Sequence, residues 1–107
     1  MPKYLVKASY SVEGTKGVIK GGGGTARRAA VQEMMSGLGG EVESFYFAFG
    51  DDDVYVVVDA PDNVTIAAVS LAVNAAGGAS VKTVPLLTAE EIDQATKKSV
   101  RYRPPGQ

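Results

Sequence analysis

The stretch "EVESFYFAFGDDDVYVVVDA", residues 41–60, decides the fold because it holds two consecutive strands. Residues 41–49 and 53–60 are rich in aromatic and β-branched side chains, which favour extended backbone. The "GDD" between them is typical of a tight hairpin turn. Pro61 cannot donate a ladder hydrogen bond and ends the second run. The stretch therefore predicts an antiparallel pair of strands in the middle of the chain.

Two helical segments are predicted before this hairpin. "YLVKASY", residues 4–10, predicts a first strand, and Ser11 then caps a short, glycine-weakened helical turn over residues 12–20. A firmer helix follows a run of four glycines, with Thr25 as its predicted N-cap and Gly39 and Gly40 as its stop. The apolar positions of this helix recur at three- and four-residue steps, and they are the Arg27 stem, Val31, Met34, Met35 and Leu38.

A third helix, a last strand and a short fourth helix are predicted after the hairpin. The third helix begins at Asp62 or Asn63, and its two apolar stripes predict burial on both sides. Residues 80–87 predict a last strand, and Pro85 favours a location at a sheet edge or at a strand end, because it lacks an N–H donor. "TAEE", residues 88–91, is a capping box that opens a helix to about residue 98. One stripe of the third helix holds Val64, Ala67, Ala68, Leu71 and Ala75, and the other holds Ile66, Val69 and Val73.

The order of these elements predicts the α+β class. It fits a ferredoxin-like βαββαβ antiparallel sheet with helices on one face, plus a short C-terminal helix. Residues 1–98 are predicted to form the domain, and residues 99–107 an extended tail that either clasps a neighbouring subunit or frays. We expect the uncovered sheet face to be too apolar for water and a second copy of the chain to cover it, first of all as a homodimer. The side chains expected there are Tyr55, Val57, Val81 and the three phenylalanines of "FYFAF".

Composition excludes several classes of function. The 107 residues carry a formal charge of −1 and contain neither cysteine nor histidine. Disulfides, thiolate metal sites and histidine-dependent nucleophiles are therefore excluded. The small net charge predicts no binding to nucleic acid or to a membrane. We expect a cytoplasmic protein that uses no metal and no cofactor.

Segments along the whole chain resemble the GYD domain family. They are the start "MPKYLVKASY", "GTKGVIK", "RRAAV", "LGG", the hairpin "FAFGDDDVYVVVDAPDN", "LAVNA", "VKTVPLLT" and "YRPPG". The resemblance implies a small bacterial ferredoxin-like protein of unestablished function, a homo-oligomer related in shape to dimeric α/β-barrel proteins. Where the family has Gly-Tyr-Asp or a close variant, this chain has Gly50, Asp52 and Asp53, so the aromatic ring is missing.

The glycine run in "KGGGGTARR", residues 20–28, has two interpretations. Free amide groups at a helix N-terminus could form a weak anion site with Thr25, Arg27 and Arg28. Alternatively, the glycines are a flexible joint between two helices and both arginines are solvated. A phosphate loop does not fit, because Lys20 precedes the glycines and the run does not follow a strand. We favour the joint.

The three consecutive aspartates, Asp51, Asp52 and Asp53, have two interpretations as well. Carboxylates can hold a divalent cation, but adjacent side chains of an extended backbone point to opposite faces and cannot easily converge on one ion. We therefore expect a solvated turn.

The candidate ligand site is on the uncovered face. Alternation along the first strand places Lys7 and Ser9 on this face and the even-numbered residues 4–10 against the helices. With Tyr55 and Lys82 nearby, these residues predict a pocket for a small anionic or aromatic ligand between the sheet and a partner chain. Lys7 would be partly desolvated there unless a carboxylate such as Asp59 pairs with it. The same groups could instead form a polar network between subunits that binds nothing.

Three functions follow from this pocket. The favoured one is a small-molecule-binding or regulatory module that is not an enzyme. The alternative is a cofactor-free oxygenase or isomerase of the dimeric α/β-barrel type, with a lysine or tyrosine as its base. The third is a purely structural assembly unit.

Overall fold

The computed structural model describes residues 1–107, and its elements follow the predicted order with shifted bounds. The first helical segment is a full nine-residue helix rather than a single turn. Residues 48–53 join the second strand to the third, so the hairpin loop is longer than the predicted tight turn. The strands are β1 (Lys3–Tyr10), β2 (Glu41–Phe47), β3 (Val54–Asp59) and β4 (Ala79–Leu86), and the helices are α1 (Val12–Lys20), α2 (Gly23–Gly37), α3 (Asn63–Ala76) and α4 (Ala89–Thr96).

The four strands form one antiparallel sheet in the order β2-β3-β1-β4, and the class is α+β. The central strand β1 pairs with β3 from Lys3 opposite Asp59 to Ala8 opposite Val54. Strand β4 lies at an edge, as its Pro85 predicts. The register of β2 against β3 shifts at a bulge between Val42 and Ser44. The sheet thus brings β1 and β4, the first and last strands, side by side.

Helices α2 and α3 cover one face of the sheet, which we call the helix face, and the opposite side is the open face. The even-numbered residues of β1 and β3 lie on the helix face, as alternation predicts. Tyr4 is almost fully buried there, and its hydroxyl donates to Asn63 Oδ1. Only nine of the 107 residues are buried, which is a small core for this length. The apolar ones are Tyr4, Met35, Val54, Val56, Val58, Ala60, Ile66 and Val69.

The glycine run lies between two helices, where the joint interpretation places it. Gly21 ends α1, and Gly22, with φ of 98°, precedes the start of α2. This left-handed backbone suits glycine because it has no Cβ. The prediction of Thr25 as the N-cap is wrong, since α2 already begins at Gly23 and Thr25 lies in its first turn. Helix α2 therefore begins directly after the left-handed Gly22.

Helix α1 is fixed to the turn that follows α3. The Ser11 side chain caps α1, because its Oγ accepts a hydrogen bond from Gly14 N at 3.0 Å. The Ser11 backbone N–H and hydroxyl both donate to the carbonyl oxygen of Gly78, at 3.0 and 3.2 Å. Gly14 lies so close to Gly78 that a side chain would not fit between them. A single serine therefore joins two distant segments.

Helix α3 begins after Asp62, whose Oδ1 accepts hydrogen bonds from the N–H and the hydroxyl of Thr65, at 2.8 and 2.7 Å. These bonds hold the pKa of Asp62 below its ordinary value.

The stripe of α3 with Ile66 faces the sheet and is buried. The other stripe is exposed, with Val64 at 79% and Leu71 at 72% exposure. The prediction of burial on both sides is thus wrong for a single chain, because only the sheet packs against α3.

Helix α4 and the tail lie outside the packed domain. The predicted capping box is present, since Thr88 N donates to Glu91 Oε1 at 2.9 Å and Glu91 N to Thr88 Oγ1 at 3.1 Å. Every residue from 89 to 107 is exposed. The Cα radius of gyration is 16.9 Å, against about 13 Å for a compact chain of this length. None of the four helices has the length and apolar character that crossing a bilayer requires.

Candidate functional site

Three of the four residues predicted for the ligand site are direct neighbours on the open face. Lys7 on β1 lies opposite Tyr55 of β3 on one side and opposite Lys82 of β4 on the other. Tyr46 of β2 lies opposite Tyr55 and extends the series to the far edge. We call these four residues, Lys82, Lys7, Tyr55 and Tyr46, the lysine–tyrosine row. Their role in ligand binding stays a prediction.

The two lysines of the row have no carboxylate within 4.0 Å, so no ion pair neutralises them. Residues directly opposite in an antiparallel sheet have Cβ atoms roughly 4.5–5.5 Å apart, and like charges there are destabilising. The fold therefore places two lysines on adjacent strands of the open face, opposite each other and without an ion-pairing acid.

Lys3, at the other end of β1, is a contrasting case. Its Nζ lies 2.8 Å from Asp59 Oδ1 and 3.4 Å from Glu43 Oε2. The hydrogen bond to Asp59 is the main cause that raises the pKa of Lys3. Asp59, the example of a carboxylate that could pair with Lys7, pairs with Lys3 instead. The register places Asp59 opposite Lys3, which is four residues from Lys7 along β1.

Ser9 is held by a buried acid that the sequence did not reveal. Its hydroxyl donates to Asp52 Oδ1 at 2.9 Å, and Asp52 is only 7% exposed. The next residue, Asp53, accepts a hydrogen bond from Tyr10 N at 2.8 Å through its own carboxylate. The prediction of a wholly solvated acidic turn is therefore wrong, because only Asp51 is exposed. The missing family aromatic at position 52 was the one signal in the sequence that marked this residue.

Of the apolar side chains predicted for the open face, only Tyr55 and Val57 lie on it. Val81 and Phe45 line the helix side of the sheet, and Phe47 contacts Gly24 of α2. Phe49 lies in the loop after β2 and is fully exposed. The bulge in β2 is the reason for the error, because it changes which residues of "FYFAF" face the helices. Besides Tyr55 and Val57, the apolar side chains on the open face are Leu5, Tyr46, Val84 and Leu86.

The three residues of the weak anion site do not converge. Arg27 lines a cavity between the sheet and the helices, whereas Arg28 does not. Thr25 makes no capping hydrogen bond at the start of α2. The described chain also brings together no group of three acidic side chains suited to a metal ion. The lysine–tyrosine row therefore offers two amines and two phenols, with the Ser9 hydroxyl and its Asp52 partner further along β1.

These observations define a small α+β domain with a polar row on an uncovered sheet face. The GYD domain profile matches residues 4–96, and the chain belongs to this family. No curated protein and no solved structure gave a significant match.

Proposed function

We propose that this GYD domain is a ferredoxin-like homodimer that binds a small aromatic anion between the open faces of its two sheets. The observation that carries the proposal is the uncompensated pair Lys7 and Lys82 beside the ring of Tyr55. A carboxylate between the two amines would remove their repulsion. An aromatic body would pack against Tyr55 and Tyr46 with ring contacts that add roughly 0.5–1.5 kcal/mol.

The dimer is supported by the surface area of the isolated chain. The accessible surface is 7505 Å², whereas about 5,650 Å² is usual for a folded monomer of this mass. The exposed segment 89–107 contributes part of this excess of about 1,850 Å², and the uncovered sheet face contributes another part, whereas each partner of a standard interface buries roughly 800 Å². A second chain on the open face would cover Leu5, Val57, Val84 and Leu86.

The charge pattern of the open face also fits a second copy. Glu41, Glu43 and Asp59 surround Lys3 at one end, so acids outnumber the base there. The lysine–tyrosine row lies further along the same strands. A two-fold axis between the sheets can lay the acidic end of one chain over the row of the other, and an interface between like chains is self-complementary in this way.

This complementarity also favours a second candidate function, the structural assembly unit. In that case carboxylates of the partner chain occupy the position of the ligand, and the lysines serve association alone. The two functions differ in what removal of the lysines does to the dimer.

Native mass spectrometry and a titration with 4-hydroxybenzoate test the proposal. We expect a dimer at micromolar concentration that binds the probe. The double variant Lys7→Gln, Lys82→Gln should stay dimeric and bind at least tenfold more weakly, because hydrogen bonds to charged groups contribute roughly 1.5–3 kcal/mol. Lys20→Gln is the matched control, since Lys20 is an exposed lysine on α1.

Each other result has a defined meaning. A monomer at micromolar concentration contradicts the dimer. Equal affinity in the double variant and in Lys20→Gln contradicts the ligand site. Dissociation of the double variant into monomers, with no probe binding by the parent, supports the assembly unit instead.

A further inference from the structure

The helix face encloses a second site that is separate from the open face. Between the sheet and helices α2 and α3 lies a cavity of about 70 Å³. Of its sixteen lining residues, fifteen are hydrophobic, and Arg27 is the exception. Its wall includes Ala8 of β1, Val31 of α2 and Val73 of α3.

The cavity opens outward because α2 and α3 do not pack closely against each other. The gap between them continues into a groove of about 610 Å³ lined by α1, α2 and α3. This volume lies within the roughly 300–1,000 Å³ of small-molecule sites. Several core residues, among them Met34 and Val73, stay only partly buried for the same reason. The helix face thus has a narrow apolar chamber with a wide mouth.

Arg27 and Tyr10 lie at the junction of the chamber and the groove, because each lines both. No carboxylate lies within 4.0 Å of the Arg27 guanidinium. The nearby Asp53 carboxylate accepts a hydrogen bond from the Tyr10 backbone N–H. Burial raises the pKa of the Tyr10 hydroxyl, and the Arg27 charge opposes this only in part, so the phenol keeps its proton at neutral pH. The junction therefore offers a cation and a neutral O–H donor above an apolar chamber.

We infer that the helix face binds a short-chain aliphatic carboxylate, with its alkyl end in the chamber and its carboxylate on Arg27 and the Tyr10 hydroxyl. The planar guanidinium matches a carboxylate through two parallel hydrogen bonds. Arg27 supplies one positive charge at the junction and the nearby Asp53 carboxylate a negative one, so a monoanion fits there better than a dianion such as phosphate. The chamber limits the alkyl end to a few carbon atoms, since a single water-sized group already needs about 10–15 Å³ of such a cavity.

The chain supplies a matched pair of variants for the test. Arg27 and Arg28 are consecutive on α2, and both are exposed, but only Arg27 lines the cavity. Ala8→Val adds two methyl groups inside the chamber while keeping Arg27, and valine is favoured in strands. Hexanoate is the probe, and 1-hexanol is its neutral counterpart. Binding is followed by NMR through the methyl signals of Val31, Val54 and Val73, which line the chamber.

We expect hexanoate to shift these methyl signals and 1-hexanol to bind at least tenfold more weakly. Arg27→Gln should weaken hexanoate about ten- to a hundredfold, as loss of a charge-assisted pair does, and Arg28→Gln less than twofold. Ala8→Val should abolish the methyl shifts with the fold intact. If Ala8→Val fails to fold, the two arginine variants still decide the question.

The inference is wrong if hexanoate leaves the chamber methyl signals unchanged at millimolar concentration. It is also wrong if Arg27→Gln and Arg28→Gln weaken binding equally, since the attraction would then be a general surface charge effect. Shifts confined to Leu5, Val57 and Val84 would place the probe on the open face instead. Lys7→Gln, Lys82→Gln should leave hexanoate binding unchanged, which separates this site from the proposed function.

Discussion

Replacing Gly14 by alanine should destabilise the protein by about 2 kcal/mol, whereas the same change at Gly17 in the same helix should stabilise it. A Cβ on Gly14 would lie 1.8 Å from the carbonyl oxygen of Gly78, far inside the roughly 3.3 Å of a close carbon–oxygen contact. Helix α1 would have to retreat by about 1.5 Å to restore that separation. The retreat would lengthen the 3.0 Å hydrogen bond from Ser11 N to the same oxygen.

The magnitude results from opposing contributions. Overpacking costs roughly 1–3 kcal/mol, and loss of the Ser11 hydrogen bond adds roughly 0.5–1.5 kcal/mol. Alanine in place of glycine within a helix stabilises the fold by roughly 0.5–1 kcal/mol, because alanine loses less backbone entropy than glycine on folding. A Cβ on Gly17 would have no neighbour within 4 Å, so only the favourable contribution applies there.

Urea unfolding followed by circular dichroism measures both variants against the parent. All three should be compared at one protein concentration, because the stability of a dimer depends on it. A loss of 2 kcal/mol corresponds to a fall in Tm of roughly 10 °C for a domain of this size. If Gly14→Ala and Gly17→Ala unfold at the same urea concentration, α1 does not dock on the turn after α3, and the reasoning is refuted.

Three further predictions concern single residues. Asp62→Asn should keep the cap at neutral pH, because asparagine caps equally well. The hydrogen bonds from Thr65 lower the pKa of Asp62 in the folded state. The ionised carboxylate therefore stabilises the fold fully when the pH is above the pKa of Asp62 in the unfolded chain. This stabilisation is lost as the pH falls through the pKa of Asp62 in the folded chain. Between about pH 5 and pH 2 the parent should lose more stability than the variant, and parallel curves would contradict this. Arg27→Gln should raise the pKa of Tyr10 further in a carbon-13 NMR titration, because the cation opposes the effect of burial; an unchanged pKa would place the guanidinium away from the ring. Gly22→Ala should cost roughly 1–2 kcal/mol in thermal unfolding, because its φ is 98°. It should leave any binding of inorganic phosphate unaltered, and loss of phosphate binding by the folded variant would favour the anion site.

Local patterns predicted the elements and the two faces of β1 correctly. Alternation with period two assigned Tyr4 to the helix face and Lys7 to the open face, and the register agrees. The sequence also predicted the N-cap at Ser11 and the capping box at Thr88, because each involves residues only three positions apart. The sequence did not predict which residues of "FYFAF" lie on the helix face. The bulge in β2 breaks the alternation there, and it has no clear sequence signal.

Spacing along the backbone sets the order of the strands and helices and the side chains of β1 that share a face, so both can be predicted from the sequence. The partners of the charged groups depend instead on how distant segments come together in the fold. Asp59 neutralises Lys3 rather than Lys7, and Asp52 is buried against Ser9. These pairs join residues 56 and 43 positions apart, so the register between distant strands sets them. Tertiary structure also distinguishes Arg27 from Arg28. Only Arg27 lines the cavity, which exists where the sheet and two helices meet.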